Sequence, residues 1–311
     1  MQRLIEPSPH AVLRPARRIS STTREALWGY AFISPWVIGL LAFSAGPILA
    51  ALYYSFTDYP AMGSPTWTGL TNYQKLFTDD PLFWKSLYNT GFYVLFSVPL
   101  HQLAAFFLAL MLVGGKRGTN FFRTAFYLPV MIPFVAMAVM WKAVLHPTVG
   151  LLNQLLLTVG LPTVNLLASD VAVKPVLVVL TLWLVGTPMI VYLAGLQNIP
   201  EQLHEAASID GANGFRRLIH VTVPMLTPTI LFNVILDIIN SFQVFAHALI
   251  ITDGGPVNAS LFYVLYLYRQ AFEYFKMGYA SALAVILFVV ILFFTLVILR
   301  SSSSWVHYDQ T

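Results

Sequence analysis

Four polar side chains, Asn233, Asp237, Asn240 and Gln243, interrupt an apolar stretch at intervals of four, three and three residues. On a helix that spacing brings all four near one face. Carboxylate and carboxamide groups in such a stripe can hydrogen-bond either the hydroxyls of a ligand or a neighbouring helix. Asp237 is the only acidic residue well inside a long apolar run. An ionisable group there is a functional candidate, because leaving it unpaired in hydrocarbon is costly. Tyr192, Phe242 and Phe245 could stack on the apolar face of a ligand ring, although in a chain that is 14% aromatic core packing accounts for such rings as well.

Other chemistries find no residues to carry them. His101, His146, His204, His220 and His247 are scattered along the chain, and no Ser/His/Asp set or metal-ligand pattern shares a plausible site. The absence of Cys excludes disulfides and thiolate metal sites. A phosphate-cradling loop needs Gly-Lys followed by Ser or Thr ahead of a helix. Gly115-Lys116 is instead followed by Arg117 and Gly118. The expectation is therefore no catalytic residue, no metal and no cofactor in this chain.

The elements that must hold the polar stripe are legible from composition. With 58% hydrophobic and 10% charged residues and a mean hydropathy of +0.72, the chain has too little polar surface for a water-soluble globule of its size. About 20 apolar residues make one membrane-spanning helix. Six runs reach that length: Leu27 to Phe56, Ser86 to Val113, Phe121 to Leu145, Val173 to Leu196, Leu226 to Ile251 and Tyr279 to Leu299. They are far longer than barrel strands, so the fold class is an all-α polytopic membrane protein with six transmembrane helices and the lipid bilayer as its surroundings.

Charge placement gives an orientation. Arg3, Arg14, Arg17, Arg18 and Arg24, then Lys116, Arg117 and Arg123, then Arg216 and Arg217, then Arg300 fall on one side, and the remaining six of 17 basic residues on the other. The positive-inside rule then predicts N-in and C-in. The pI near 9.2 reflects these flanking charges and not a nucleic-acid surface. The expected organisation is a cytoplasmic tail over residues 1–26, a six-helix transmembrane domain over 27–300 and a cytoplasmic tail over 301–311. Within it, an outer loop at 57–85 contains a short amphipathic helix around Leu70, Tyr73 and Phe77, with Asp79, Asp80 and Pro81 starting the next helix. Pro129 and Pro133 should kink or break the third span. The Leu151 to Leu157 run is too short to cross and reads as re-entrant or interfacial.

The cytoplasmic connection at 197–224 carries "EAASIDGANGFRRLIHVTVP", residues 205–224. Pro200 suits a helix first turn, and Glu201 and Glu205 lie near that helix's positive end. Ala206, Ala207 and Ile209 offer a small, smooth face. Gly211 and Gly214 permit a bend, and a second short helix resumes at Phe215 until Pro224 and Pro228. Such a segment can insert into a groove on another protein.

The spacing of Glu205, Ala206, Ala207 and Gly211 ahead of Val221-Thr222-Val223-Pro224 resembles the EAA loop of ABC-importer permeases, with Val at both aliphatic positions of that pattern's Ile-x-Leu-Pro ending. "GLTNYQKLF", "DDPLFWKSLYNT", "AASIDGANGFRRL", "TDGGPVNAS" and "MGYASALA", in that order, are similar to phrases of the carbohydrate-uptake permeases related to the maltose-type membrane subunit. The resemblance runs from about residue 28 to 300. It implies a type I ABC importer permease fold in a prokaryotic plasma (inner) membrane, paired with a second permease subunit as a heterodimer. It further implies an ATP-binding subunit dimer, which holds the ATP and Mg, and an extracytoplasmic sugar-binding protein. By the same resemblance residues 201–214 form a coupling helix, with Glu205, Ala206, Ala207, Asp210, Gly211 and Gly214 at the ATPase. The stripe of Asn233, Asp237, Asn240 and Gln243, with Tyr192 and Phe242, then either lines a substrate path for an oligosaccharide or related polyol or packs against the partner permease. Glycerol phosphate is an alternative cargo, disfavoured by the absence of mid-span Arg or Lys. An ion-driven secondary transporter is a further alternative, which one lone Asp and a long docking loop fit poorly.

Overall fold

The structure is a computed structural model that describes residues 20–115 and 117–307. Arg3, Arg14, Arg17, Arg18 and Lys116, used above for orientation, lie outside the described residues. Two compact units are distinguished, Met1–Ala50 and Ala51–Thr311. The described part of the first is helical. Helix α1, Ser21–Tyr54, starts at Ser20, whose Oγ accepts from the Thr23 backbone N–H at 3.2 Å. It contains Pro35 and a wider π-type turn at Leu41–Ala45.

The second unit takes in the last residues of α1 and continues with a two-residue pairing of β1 (Thr57–Asp58) and β2 (Thr66–Trp67), antiparallel with Thr57 opposite Trp67. Helix α2, Thr71–Thr78, is the expected short amphipathic element. Helix α3, Pro81–Leu112, starts at the Asp79-Asp80-Pro81 signal, with Asp80 as its cap: one carboxylate oxygen accepts from the Leu82 and Phe83 N–H groups at 2.9 and 3.1 Å. The other oxygen accepts the hydroxyls of Tyr266 and Tyr279. Burial, with the Asp80 carboxylate beside it, pushes the Tyr266 phenol above its ordinary range.

The third apolar run is broken where its prolines predict. Helix α4, Thr119–Met131, and helix α5, Phe134–Val144, meet at 98°. Pro133 forces Ile132 out of the helical region, to φ −76° and ψ 130°. Helix α6, Leu151–Thr158, is too short to cross, and Asn153 ties its base by donating to the carbonyls of Pro147 and Val164, both at 2.8 Å. The fourth run is likewise two pieces, α7 (Val173–Leu184) and α8 (Gly186–Gln197), bent by 49°. After helix α9, Glu201–Ile209, helix α10 runs from Gly214 to Phe242. Short helices α11 (Ala248–Thr252) and α12 (Tyr263–Tyr268) precede α13, Met277–Ser302.

Among the described residues, α1, α3, α10 and α13 are each long and apolar enough to cross a membrane, and the two bent pairs bring the number to six if each is one span. Two expectations are corrected. The segment after Gly214 is not a separate short helix, since it continues into α10: a π-type turn at Leu218–Thr222 takes up the geometry, and Pro224 falls in the first turn after it, where no N–H is missed. The fifth run is not continuous to Ile251, because the helix ends at Phe242 and Val244–Phe245 are unwound, with no Gly or Pro at the break to announce it.

Helix α3 lies at the centre of the second unit. Its C-terminal half packs Ala105, Ala109 and Leu112 against Met189, Tyr192, Leu193 and Leu196 of α8 and Leu226 of α10. Small residues permit this closeness. A Cβ on Gly186 would stand 2.4 Å from the Phe126 carbonyl oxygen, so the bend of the fourth run rests directly on the backbone of α4. Gly186→Ala is expected to lose about 1–3 kcal/mol by overpacking. Gly91→Ala, which meets nothing within 4 Å in the helix interior, should be neutral or slightly stabilising. Thermal unfolding of the two variants in detergent checks the contrast.

Candidate functional site: a polar cavity at three helix breaks

The breaks in the third, fourth and fifth runs converge. Val130, Ile132 and Phe134 from the first, Thr181, Leu184, Thr187 and Pro188 from the second, and Gln243 to His247 from the third line a cavity of about 730 Å³. Its volume is in the range of small-molecule sites, about 300–1,000 Å³. Non-helical backbone inside an apolar surrounding is tolerated where it lines such a cavity.

One wall is the polar stripe of α10. Asn233, Asp237, Asn240 and Gln243 all line the cavity, Asn240 and Gln243 with exposed side chains. Facing them from α3 are His101 and Gln102. Gln102 Nε2 donates to Asp237 Oδ2 at 2.8 Å, and His101 Nδ1 lies 3.1 and 3.2 Å from the two carboxylate oxygens. Gln102 Oε1 in turn accepts the Tyr192 hydroxyl at 2.7 Å. A chain of four side chains thus ties α8, α3 and α10 together, and the carboxylate that was expected to need a partner has two. Asn233 is 4% exposed and donates to the Pro188 carbonyl at 3.4 Å.

Tyr192 and Phe242 stand behind this wall and do not line the cavity. Tyr192 is 1% exposed, edge-on to Phe106, and orients Gln102. Phe242 is buried against Phe294 with ring centroids 5.3 Å apart. Phe245 does reach the cavity. His101 and Gln102 were missed in the sequence. Their signal was there: an adjacent His-Gln pair near the middle of an apolar run is the natural complement of a lone Asp in another.

The second candidate segment is separate from the cavity and open. Helix α9 follows Pro200, which occupies the position just ahead of its first turn, and Glu201 sits in that turn. The helix ends in a left-handed glycine: Gly211 has φ +79°, and Ala212 N–H reaches back to the Ala207 carbonyl at 2.9 Å. Asn213 then caps α10 by accepting from Arg216 N–H at 2.9 Å. Arg217 donates to Ser208 Oγ at 2.9 Å, bracing the two helices. Glu205, Ala206, Asp210, Gly211 and Gly214 are exposed and Ala207 half-buried. Ile209 and Phe215, on either side of the turn, are 87% and 71% exposed.

An all-helical membrane unit with broken spans around a polar cavity, and an exposed helix-turn on one connection, defines a membrane transport subunit. The chain belongs to the family of binding-protein-dependent transport system inner membrane components, whose family model matches residues 102–305. It is 42% identical over 298 residues to the probable ABC transporter permease protein YesP of Bacillus subtilis, covering 94% of this chain and 96% of that one. It is 30% identical to the arabinooligosaccharides transport system permease protein AraP of Bacillus subtilis, covering 97% and 96%. A solved bacterial ABC transporter involved in the import of alginate shares the fold, with a TM-score of 0.81 at 24% identity over 91% of this chain and 97% of that one. The fold is that of a type I ABC importer permease, and the chain is a multi-pass inner-membrane transport subunit, not an enzyme.

Gln102→Leu strips a donor from Asp237 and leaves the buried Tyr192 hydroxyl without its acceptor. It is expected to cost about 1–3 kcal/mol, against about 1 kcal/mol for Tyr192→Phe. Thermal denaturation of both variants in detergent reads the difference, and equal losses would show that the chain of hydrogen bonds is not what ties α8 to α3.

Proposed function

We propose that this chain is one of two permease subunits, paired as a heterodimer, in an ATP-driven importer of an oligosaccharide or related polyol. In this reading the N- and C-termini are cytoplasmic, and an extracytoplasmic sugar-binding protein delivers substrate to the cavity between the permeases. Asn233, Asp237, Asn240 and Gln243 form this chain's share of the path. An ATPase dimer, holding ATP and Mg, engages the segment from Glu201 to Gly214. Closure of that dimer moves the coupling helices together, and rocking of the spans exchanges access from outside to inside.

The observation that carries the reading is the α9 turn. A helix that ends at Gly211 and exposes Ile209 and Phe215 beside Glu205 and Asp210 is shaped to enter a groove with apolar walls and a basic partner. Left in water, two such large apolar side chains would gain nothing. The sugar class is supported by relatives named for arabinooligosaccharides, lactose and trehalose/maltose, the last two at 33% and 31% identity. It is supported also by a cavity whose described lining holds carboxamides, hydroxyls and aromatics but no Lys or Arg, as a phosphate cargo would favour.

The test is uptake and ATP hydrolysis in proteoliposomes of the complex co-purified with this chain, comparing wild type with Glu205→Ala plus Gly211→Pro. Pro cannot adopt φ +79°, so the docking turn is lost while the spans are untouched. Expected are co-purifying ATPase subunits with wild type and at least a 10-fold fall in uptake in the variant. Uptake driven by an ion gradient with no ATPase present would overturn the assignment.

A further inference from the structure

The partners of Asp237 change what that residue can do. Its Oδ2 is engaged by Gln102 Nε2 at 2.8 Å and His101 Nδ1 at 3.1 Å, and its Oδ1 by the same His101 nitrogen at 3.2 Å. The carboxylate is therefore occupied from within the chain. A carboxylate against one imidazole nitrogen draws the ring proton to that nitrogen and leaves the other as the ring's free valence. That other atom, His101 Nε2, is buried without a hydrogen-bond partner among the described residues. His101 itself lines the cavity wall. A polar atom left unpaired in a native interior is tolerated where another state of the molecule satisfies it. His247, on the same wall, also has an Nε2 without a partner among the described residues, but it packs edge-on to Phe134 and no described carboxylate sets its tautomer, so it carries no assignment.

We propose that His101 is a substrate-contacting residue of the cavity, its Nε2 accepting a hydrogen bond from a hydroxyl of the transported saccharide, and that Asp237 is a positioning residue that holds the ring in the required tautomer. The inference rests on the sugar-importer reading and refines it. The lone pair on Nε2 selects an O–H group and gives no attraction to an ether, a fluorine or a carboxylate oxygen. Nε2 is shielded from water in this conformation, and the change of cavity shape during alternation brings the hydroxyl to it. Because Asp237 is screened by its own partners, the specificity of the cavity lies one residue away from the charge.

The geometry also predicts what a neutral isostere does. In Asp237→Asn the amide can donate to Nδ1, which then carries the lone pair, and the ring proton moves to Nε2. An acceptor becomes a donor at the same place in the wall, with almost no change of shape.

The test measures uptake by the reconstituted complex of lactose, trehalose and an arabino-oligosaccharide, followed by a series of monodeoxyfluoro analogues of the sugar that wild type imports. Fluorine keeps the size of a hydroxyl and removes its donor. Expected for wild type is one ring position at which fluorination raises KM about 10-fold, the loss of one buried hydrogen bond. His101→Phe should raise KM for the parent sugar by a similar factor and erase the penalty at that position. Asp237→Asn should erase the penalty as well, by inverting the polarity of Nε2, a readout that simple loss of packing would not move. No position-specific penalty in wild type overturns the proposal, as does a penalty that survives His101→Phe. Wild-type uptake that needs no ATPase overturns the importer reading instead, and the same analogue series still decides the role of His101.

Discussion

Backbone that leaves the helix inside an apolar surrounding must find its hydrogen-bond partners within the protein, and here α3 supplies them. Asn89, fully buried, donates to the carbonyls of Asn258 and Leu261 at 2.9 and 3.0 Å. Thr90 accepts the Tyr263 N–H at 2.8 Å. Asp80 closes the N-terminal end by gathering two tyrosine hydroxyls besides its capping bonds. The segment between α11 and α12 is irregular, with Asp253, Val257 and Asn258 all at positive φ, and it holds its shape because α3 satisfies it. Further along, His101 and Gln102 do the same for a charge in place of a backbone.

The cavity is the other consequence of that constraint. Three apolar runs bend or unwind around one cavity, which their broken segments line together. Prolines account for one break and Gly186 for another. The third, at Val244–Phe245, has no local cause in sequence and is a product of packing. Polar side chains then accumulate where the backbone is already polar, so the stripe of α10 meets the His-Gln pair of α3 across a space and not across a packed seam. His101 and Asp237 have side-chain exposures of 12% and 14%, which shields their hydrogen bond from solvent without sealing it from the cavity.

A transport subunit needs both rigidity and a place to be pushed. The α9 turn is tied to α10, since Asn213 caps that helix and Arg217 donates to Ser208 Oγ. Phe215 lies on the same helix that carries Asn233, Asp237 and Asn240, so in the proposed reading a push at the turn bears directly on the wall of the cavity. The π-type turn at Leu218–Thr222 and the proline pair after it are the places along α10 where geometry departs from a regular helix.

Composition and periodicity determined by themselves that the chain is helical and membrane-embedded, where its apolar runs lie, that the third run breaks at Pro129 to Pro133, and that a glycine-ended helix precedes the fifth. These are local properties: hydropathy sums over neighbours, and the effects of Pro and Gly on φ act within a residue or two. The same locality made Asn233, Asp237, Asn240 and Gln243 readable as one helical face. Tertiary structure alone decided which groups Asp237 meets, because His101 and Gln102 are more than 130 residues away in the chain. It also decided that Tyr192 and Phe242 point into packing and not into the cavity, and that the fifth helix ends at Phe242. Each of those outcomes depends on how close α3, α8 and α10 approach one another, a distance set by small residues on facing helices that no single stretch of sequence contains.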